Sequence, residues 1–395
     1  LDSGSTSGVI DAQPGAAGED LFDAATYSDF VRGAMRIKQA RPDVAILFES
    51  TIAEPTDDLL AVIREAFSAD VTSRYVSVFA DGNRFAIEAV AKRYALPADQ
   101  IIATTGATGG LAMVFRALVA PGERVLVETP GFDLISRLAA ECGAWVDDLP
   151  RPAPDFRVDL ADLAARLTPE TRLVVLTNLH NPSGAWMSPD EIAAVAATCA
   201  GAGAVLVVDE VYADFVRETR APPAASLGPN IISTASLTKV FGLFALKFGW
   251  LAASPELIAR IRHSAPEGDM GVSKLAHAVA AHVLESPARF EAHWQGVLAA
   301  NRPVVEAPLR ALLEAGLLEG EVPAFGCMCF PKVVGAADTR TLGRTLLRDF
   351  DLLVAPGEYF GLPGHIRIGF GADTEALARG MARLADGLRA GLAAA

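Results

Sequence analysis

The densest chemistry in the sequence lies in SLTKVFGLFALKFGW, residues 236–250. Ser236, Thr238 and Lys239 follow an apolar run with strand character, and Gly242 and Gly249 bracket a second lysine, Lys247. Desolvation drives a lysine held among apolar and hydroxyl groups toward its neutral amine, which is a nucleophile for a carbonyl carbon. The two hydroxyls and Lys247 could together meet an anion. The bland alternative is a structural lysine at a strand end. Asp209, next to Glu210, closes the apolar run AVLVVDEV, and a carboxylate at the end of a buried strand needs a partner. A ligand cation or ring N–H would serve, as would an arginine or lysine elsewhere in the chain. Tyr212, three residues on, is within reach of the same place.

Three further segments carry weaker signals. In HNPSG, residues 180–184, Asn181 follows a strand and could donate a hydrogen bond from a fixed loop, or the loop could simply cap itself. Ala107 and Thr108 lie in GATGG, residues 106–110, between a strand and a helix. Small residues at a helix start expose N–H groups and make an anion cradle, though a plain tight turn uses the same residues. The spacing is neither the dinucleotide G-x-G-x-x-G nor the Walker G-x-x-x-x-G-K-[ST]. In GHIRIGFG, Arg367 alternates with Ile366 and Ile368, so it could fork onto a carboxylate or sit solvated on an edge strand.

These residues need a frame. Near-continuous apolar runs at 172–178 and 204–211 suit strands covered on both faces. Shorter strands are expected at IIATT, PGERVLVETP and IISTAS. Helices are expected at 57–69, 83–95, 257–263 and after GATGG, and Ser188 with Glu191 forms a capping box ahead of another. The alternation predicts an α/β fold: a large domain with a mostly parallel central sheet and flanking helices, plus a smaller α+β domain. The expected division is an N-terminal segment, 1–50, packing on the small domain; a large domain, 51–290; and a small domain, 291–395. A helix near 27–39 belongs to the first part. A long helical segment at 287–316 is expected to break or kink at Pro303 and Pro308. Strands at CMCFPKV, LLVAPG and HIRIGF, with helices at 338–349 and 373–392, complete the last part.

Composition narrows the classes. The 395 residues are 51% hydrophobic and 21% charged, an ordinary globular balance, with a formal charge of −14. An acidic surface disfavours non-specific nucleic-acid binding. There is no uninterrupted apolar stretch of transmembrane length, and LDSGSTSGV lacks the regions of a signal peptide, so the expectations are no membrane span and cytoplasmic residence. The four cysteines, Cys142, Cys199, Cys327 and Cys329, do not form a secretory disulfide pattern, and no Cys/His cluster marks a metal site.

Together the segments TTGATGGL, ETPGF, NLHNPSG, VVDEVYADF, SLTKVFGLFALKFGW and HIRIGFG resemble the class I/II aminotransferases, pyridoxal-phosphate (PLP) enzymes of fold type I, over roughly residues 50–395. The resemblance implies a role for each matching residue. Lys239 matches the Schiff-base lysine, Asp209 the carboxylate that pairs with the pyridine nitrogen, and Tyr212 and Asn181 the groups that bond the ring 3'-oxygen. Phe132 matches the aromatic stacked on the ring. Ala107, Thr108, Ser236 and Thr238 match phosphate ligands, and Lys247 falls where the family usually has a phosphate-binding arginine. Arg367 matches the clamp on the substrate α-carboxylate. Tyr75 matches, at a longer spacing, a tyrosine that reaches the neighbouring subunit's phosphate. The implied activity is transfer of the amino group of an L-amino acid to a 2-oxo acid by a homodimer. A lyase, decarboxylase or synthase on the same scaffold is the main alternative. A cofactor-bearing regulatory domain and a nicotinamide oxidoreductase fit less well, for want of a DNA-binding segment and a dinucleotide fingerprint. The stretch 263–277, where dicarboxylate-specific members carry an extra arginine, offers only Lys274, which argues against an aspartate or glutamate preference.

Overall fold

The computed structural model describes residues 20–68, 70–78, 82–219, 221–264 and 273–393, and the structural statements below concern these residues. The first residues, read above for a leader, lie outside them.

A 7-stranded sheet forms the centre of the molecule. In spatial order its strands are Ile101–Thr104, Gly249–Ala253, Ile231–Ser236, Val205–Asp209, Thr171–Thr177, Arg124–Thr129 and Trp145–Pro150. Gly249–Ala253 runs antiparallel to both neighbours, and the other pairings are parallel. The alternation of side chains across a strand explains why the runs are apolar throughout. Leu173, Val175, Val207 and Ile232 point to one face, where they meet Leu111, Phe115, Ile135 and Ile258 from the helices Gly106–Leu118, Asp133–Glu141 and Pro255–Ser264. Val174, Leu176, Leu206 and Val208 point to the other face, against Leu163, Ile192 and Val195 from Leu160–Arg166 and Pro189–Gly201. The capping box at Ser188 and Glu191 forms as the sequence predicts.

The C-terminal part is a smaller α+β unit. Ala288–Glu314 packs along Thr374–Ala393, and Thr339–Phe350 lies beside the latter. A three-stranded antiparallel sheet joins Met328–Cys329, Ile366–Gly369 and Ala355–Pro356. The early chain docks here, with Ala45–Ile46 pairing in parallel with Leu352–Leu353. The helix Tyr27–Ala40 puts Phe30 and Ala34 into an apolar cluster with Phe48, Phe330 and Phe360.

Three features depart from the sequence reading. The strand Trp145–Pro150 has no apolar run to announce it, because it is an edge strand with two aspartates and an exposed Trp145. Gly249–Ala253 is hidden inside the glycine- and lysine-bearing motif. The helix Ala288–Glu314 continues through Pro303 and Pro308 without a break. Each proline removes one N–H, but a buried stripe of Phe290, Trp294, Leu298, Val305, Leu309 and Leu312 holds the helix in the core. Asn301 Nδ2 also ties it to the carbonyls of Phe370 (2.9 Å) and Ala372 (2.7 Å).

Candidate active site

The parallel strands bring their carboxyl ends to one edge of the sheet, the place where α/β proteins bind ligands. Asp209 and Ser236 are the last residues of their strands. Thr177 leads into Asn181, Thr129 into Phe132, and Thr104 into the helix that starts at Gly106. Gly249 lets the neighbouring strand pass this helix start, because a Cβ there would lie 2.6 Å from the Gly106 carbonyl carbon. Gly106 has φ +72°, and Thr105 makes no side-chain cap, so the first amides of the helix, those of Ala107 and Thr108 among them, are left for another acceptor. Ser236 is buried next to them, its Oγ accepting from the Thr238 amide at 3.3 Å.

Lys239 leaves the end of its strand partly buried, and its Nζ donates to Thr51 Oγ1 at 3.1 Å. Burial pulls its pKa below the ordinary lysine value, and the Arg367 charge pushes the same way against Tyr27 and Glu49. Asp209 is buried; its carboxylate accepts the Val211 amide (3.1 Å) and makes no ion pair among the described residues. Burial lifts its carboxyl to about 7; Glu128 adds to this, while the Val211 amide and Lys239 oppose it. Tyr212 is buried and donates to Ser50 Oγ at 2.9 Å.

Arg367 is only 2% exposed, which removes the edge-strand alternative. Its Nη1 donates to Asn181 Oδ1 (2.9 Å), and its Nη2 donates to the Phe48 carbonyl (2.9 Å) and the Tyr27 hydroxyl. Its Nε is buried with no partner, and no carboxylate reaches it. The rings of Tyr27 and Phe360 flank the guanidinium at 4.7 and 4.8 Å. Phe132, at the start of Asp133–Glu141, meets the Tyr27 ring edge-on at 6.1 Å.

Lys239, Asp209, Tyr212, Asn181 and Arg367 therefore lie close together at the sheet edge. Lys247 is exposed, with φ +48°, and its Nζ rests 3.3 Å from the centroid of the Phe244 ring. Its pKa is lowered by burial and then by the charge of Lys239. Tyr75 makes no contact with the cluster; it is 38% exposed and lies beneath Lys274 Nζ at 4.0 Å. Most of 263–277 lies outside the described residues.

Sequence reasoning missed several contributors. Phe48, Ser50 and Thr51 sit at the expected boundary between the N-terminal segment and the large domain with no role expected of them, yet they touch Arg367, Tyr212 and Lys239 in turn. Tyr27 read only as the start of a helix. Behind the site, buried Glu128 accepts from Arg151 Nη1 (2.6 Å) and from the Thr177 amide (2.8 Å) and hydroxyl (2.5 Å). Thr177 Oγ1 in turn accepts from the Asn181 amide (2.8 Å). His180 lashes the two loops together through the Pro130 carbonyl (2.8 Å) and Ser183 (2.6 Å), and burial holds its ring well below the usual histidine pKa.

Comparison with known proteins identifies the family. The family model of aminotransferase class I and II matches residues 51–384. Capreomycidine synthase of Streptomyces vinaceus is 30% identical over 301 residues, covering 74% of this chain and 75% of that protein. Histidinol-phosphate aminotransferase 2 of Ralstonia nicotianae is 29% identical over 304 residues, covering 75% and 78%. The crystal structure of the PLP-dependent cyclase OrfR matches with a TM-score of 0.77 at 27% identity, covering 90% of this chain and 96% of the other. The chain belongs to the class I and II aminotransferase family, PLP-dependent enzymes of fold type I.

Proposed function

We propose that this protein is a PLP-dependent aminotransferase that moves the amino group of an L-amino acid to a 2-oxo acid. One observation carries the reading: a lysine amine, an unpaired buried carboxylate and an unpaired buried guanidinium lie close together at the sheet edge. Among the described residues neither Asp209 nor Arg367 has a partner of opposite charge, and PLP and an amino acid would bring one to each. The donor set fits the cofactor. Lys239 would hold its carbonyl carbon. The amides at the Ala107 and Thr108 helix start, with Ser236, Thr238 and Lys247, would hold its phosphate. Asp209 would face its ring nitrogen, Tyr212 and Asn181 its ring hydroxyl, and Phe132 its ring face.

When bound, PLP supplies an electron sink for a carbanion at the substrate Cα. The residues do the rest. Asp209, whose carboxyl resists ionisation by itself, is ionised by a cationic ring N–H and keeps that proton in place. The lowered pKa of Lys239 favours the neutral amine, which would take up the Cα proton and give it up again on the far side of the amino nitrogen. Arg367 forks onto the α-carboxylate and so fixes which bond at Cα is broken. A homodimer, with Tyr75 reaching the phosphate of the partner, is part of the proposal. Light scattering should give twice the 41.4 kDa chain mass.

Borohydride treatment of the holoenzyme should fix the cofactor on the peptide containing Lys239. Lys239→Ala should lower turnover about a thousandfold or more. A panel of amino acids should yield one equivalent of 2-oxo acid and of aminated cofactor. Labelling of another lysine would refute the site. The similarity to capreomycidine synthase favours a second reading, another PLP reaction such as a lyase, decarboxylase or synthase. Release of ammonia or carbon dioxide, or a product that keeps its nitrogen, without aminated cofactor would select it.

A further inference from the structure

Arginine has five N–H donors. A carboxylate can be gripped at two of its nitrogens either side-on, through Nε and Nη2, or end-on, through Nη1 and Nη2. Both grips need Nη2. In Arg367 both Nη2 donors are taken, one by the Phe48 carbonyl and one by the Tyr27 hydroxyl. One of these must give way before a carboxylate is held at two points.

The Phe48 carbonyl is fixed. The Leu47 amide donates to the Leu353 carbonyl (2.9 Å), and the Leu47 carbonyl accepts from Gly369 (2.6 Å). The Glu49 backbone is pressed so closely on Gly369 that a Cβ there would lie 1.9 Å from the Glu49 carbonyl oxygen. The Tyr27 hydroxyl, in contrast, is the tip of a side chain, and a phenol can accept or donate. Burial raises the Tyr27 pKa above the ordinary phenol value, with Arg367 and then Lys239 opposing, so the hydroxyl keeps its proton to give. The ring is held by Phe30, Phe132, Tyr359 and Phe360 at centroid distances of 5.2–6.4 Å. The helix start is anchored by the Tyr27 amide on Asp133 (3.2 Å).

We propose that Tyr27 is a substrate-binding residue: its hydroxyl accepts the Nη2 N–H that a carboxylate needs, yields it to the incoming carboxylate, and then donates its own O–H to that group. This rests on Arg367 being the α-carboxylate clamp. Tyr27 then makes the site discriminate an amino acid from the amine that lacks the carboxylate.

The test uses the holoenzyme and the amino acid it turns over fastest. Tyr27→Phe keeps the ring and removes only the oxygen. Its kcat/KM for the amino acid should fall about 10- to 100-fold, the size of one hydrogen bond to a charged group, mainly through KM. Turnover of the corresponding decarboxylated amine should not change. Competitive inhibition by acetate should weaken in parallel. An equal loss for acid and amine, or no loss for the acid, overturns the proposal. Arg367→Gln is measured beside it. If that variant loses the preference for the acid while Tyr27→Phe does not, only the role of Tyr27 fails. If Arg367→Gln keeps the preference, the clamp itself is wrong and Tyr27 falls with it.

Discussion

Arg151 and Arg367 are both almost wholly buried, at 0% and 2% exposure, yet they keep opposite company. Arg151 has a counter-ion, Glu128 at 2.6 Å, and two carbonyls, Phe156 at 2.6 Å and Thr177 at 3.3 Å. Arg367 has an amide oxygen, a carbonyl, a phenol and two aromatic faces, but no carboxylate among the described residues. Burying a charge without a counter-ion costs several kcal/mol. Under the proposed function, Arg367 beside the Lys239 amine is held for a ligand of opposite sign, whereas the Arg151–Glu128 pair is framework. Burial alone does not separate the two; the partner does.

The largest expected effect tests the framework half. Arg151→Met leaves Glu128 buried without its cation and should cost about 3–5 kcal/mol of stability, read as a lower urea midpoint. The double variant with Glu128→Gln should recover much of that loss. An unchanged midpoint for Arg151→Met would remove the contrast. The ligand-holding half predicts the reverse pattern. Arg367→Gln should lower stability by no more than about 1 kcal/mol while lowering kcat/KM for an amino acid by a factor worth about 2–5 kcal/mol. If it destabilises the fold as much as Arg151→Met, both arginines are framework.

The smallest effect concerns Asp209, the other unpaired charge of the site. Its carboxyl lies at about 7 in the folded chain, against 3.8 as the ordinary value. A raised folded pKa means that its contribution to stability is complete below about 4 and is lost as pH rises toward 7. The cofactor-free protein should therefore melt at a lower temperature at pH 8 than at pH 5, and Asp209→Asn should make that decline shallower. Glu210, also lifted to about 7 by burial, should keep part of the slope. A slope unchanged in Asp209→Asn would show that Asp209 is already paired.

Much of the fold was legible because buried parallel strands need apolar residues on both faces, and runs such as LVVLT and VLVVD can hardly be anything else. The strand Trp145–Pro150 was not, because an edge strand with one solvated side tolerates aspartates. The motif residues of the site could be named because their segments together resemble the family; taken singly, Lys239, Asp209 and Arg367 each kept a plain structural alternative. Ser50, Thr51 and Tyr27 could not. A hydroxyl or a backbone carbonyl carries no charge signature, and its role depends on which side chain, hundreds of residues away, comes to rest against it. Of the break or kink that local propensity marks at Pro303 and Pro308, the break does not occur, because tertiary packing holds the helix together.

The short run 48–51 has a consequence for how the protein folds. It meets Arg367 across 319 positions of sequence, Tyr212 across 162 and Lys239 across 188. Contacts of such span close only after the intervening chain has collapsed, because the loop entropy is lost before the contact returns anything. The run 48–51 therefore joins Arg367, Tyr212 and Lys239 only once chain from both ends of the sequence has closed around it.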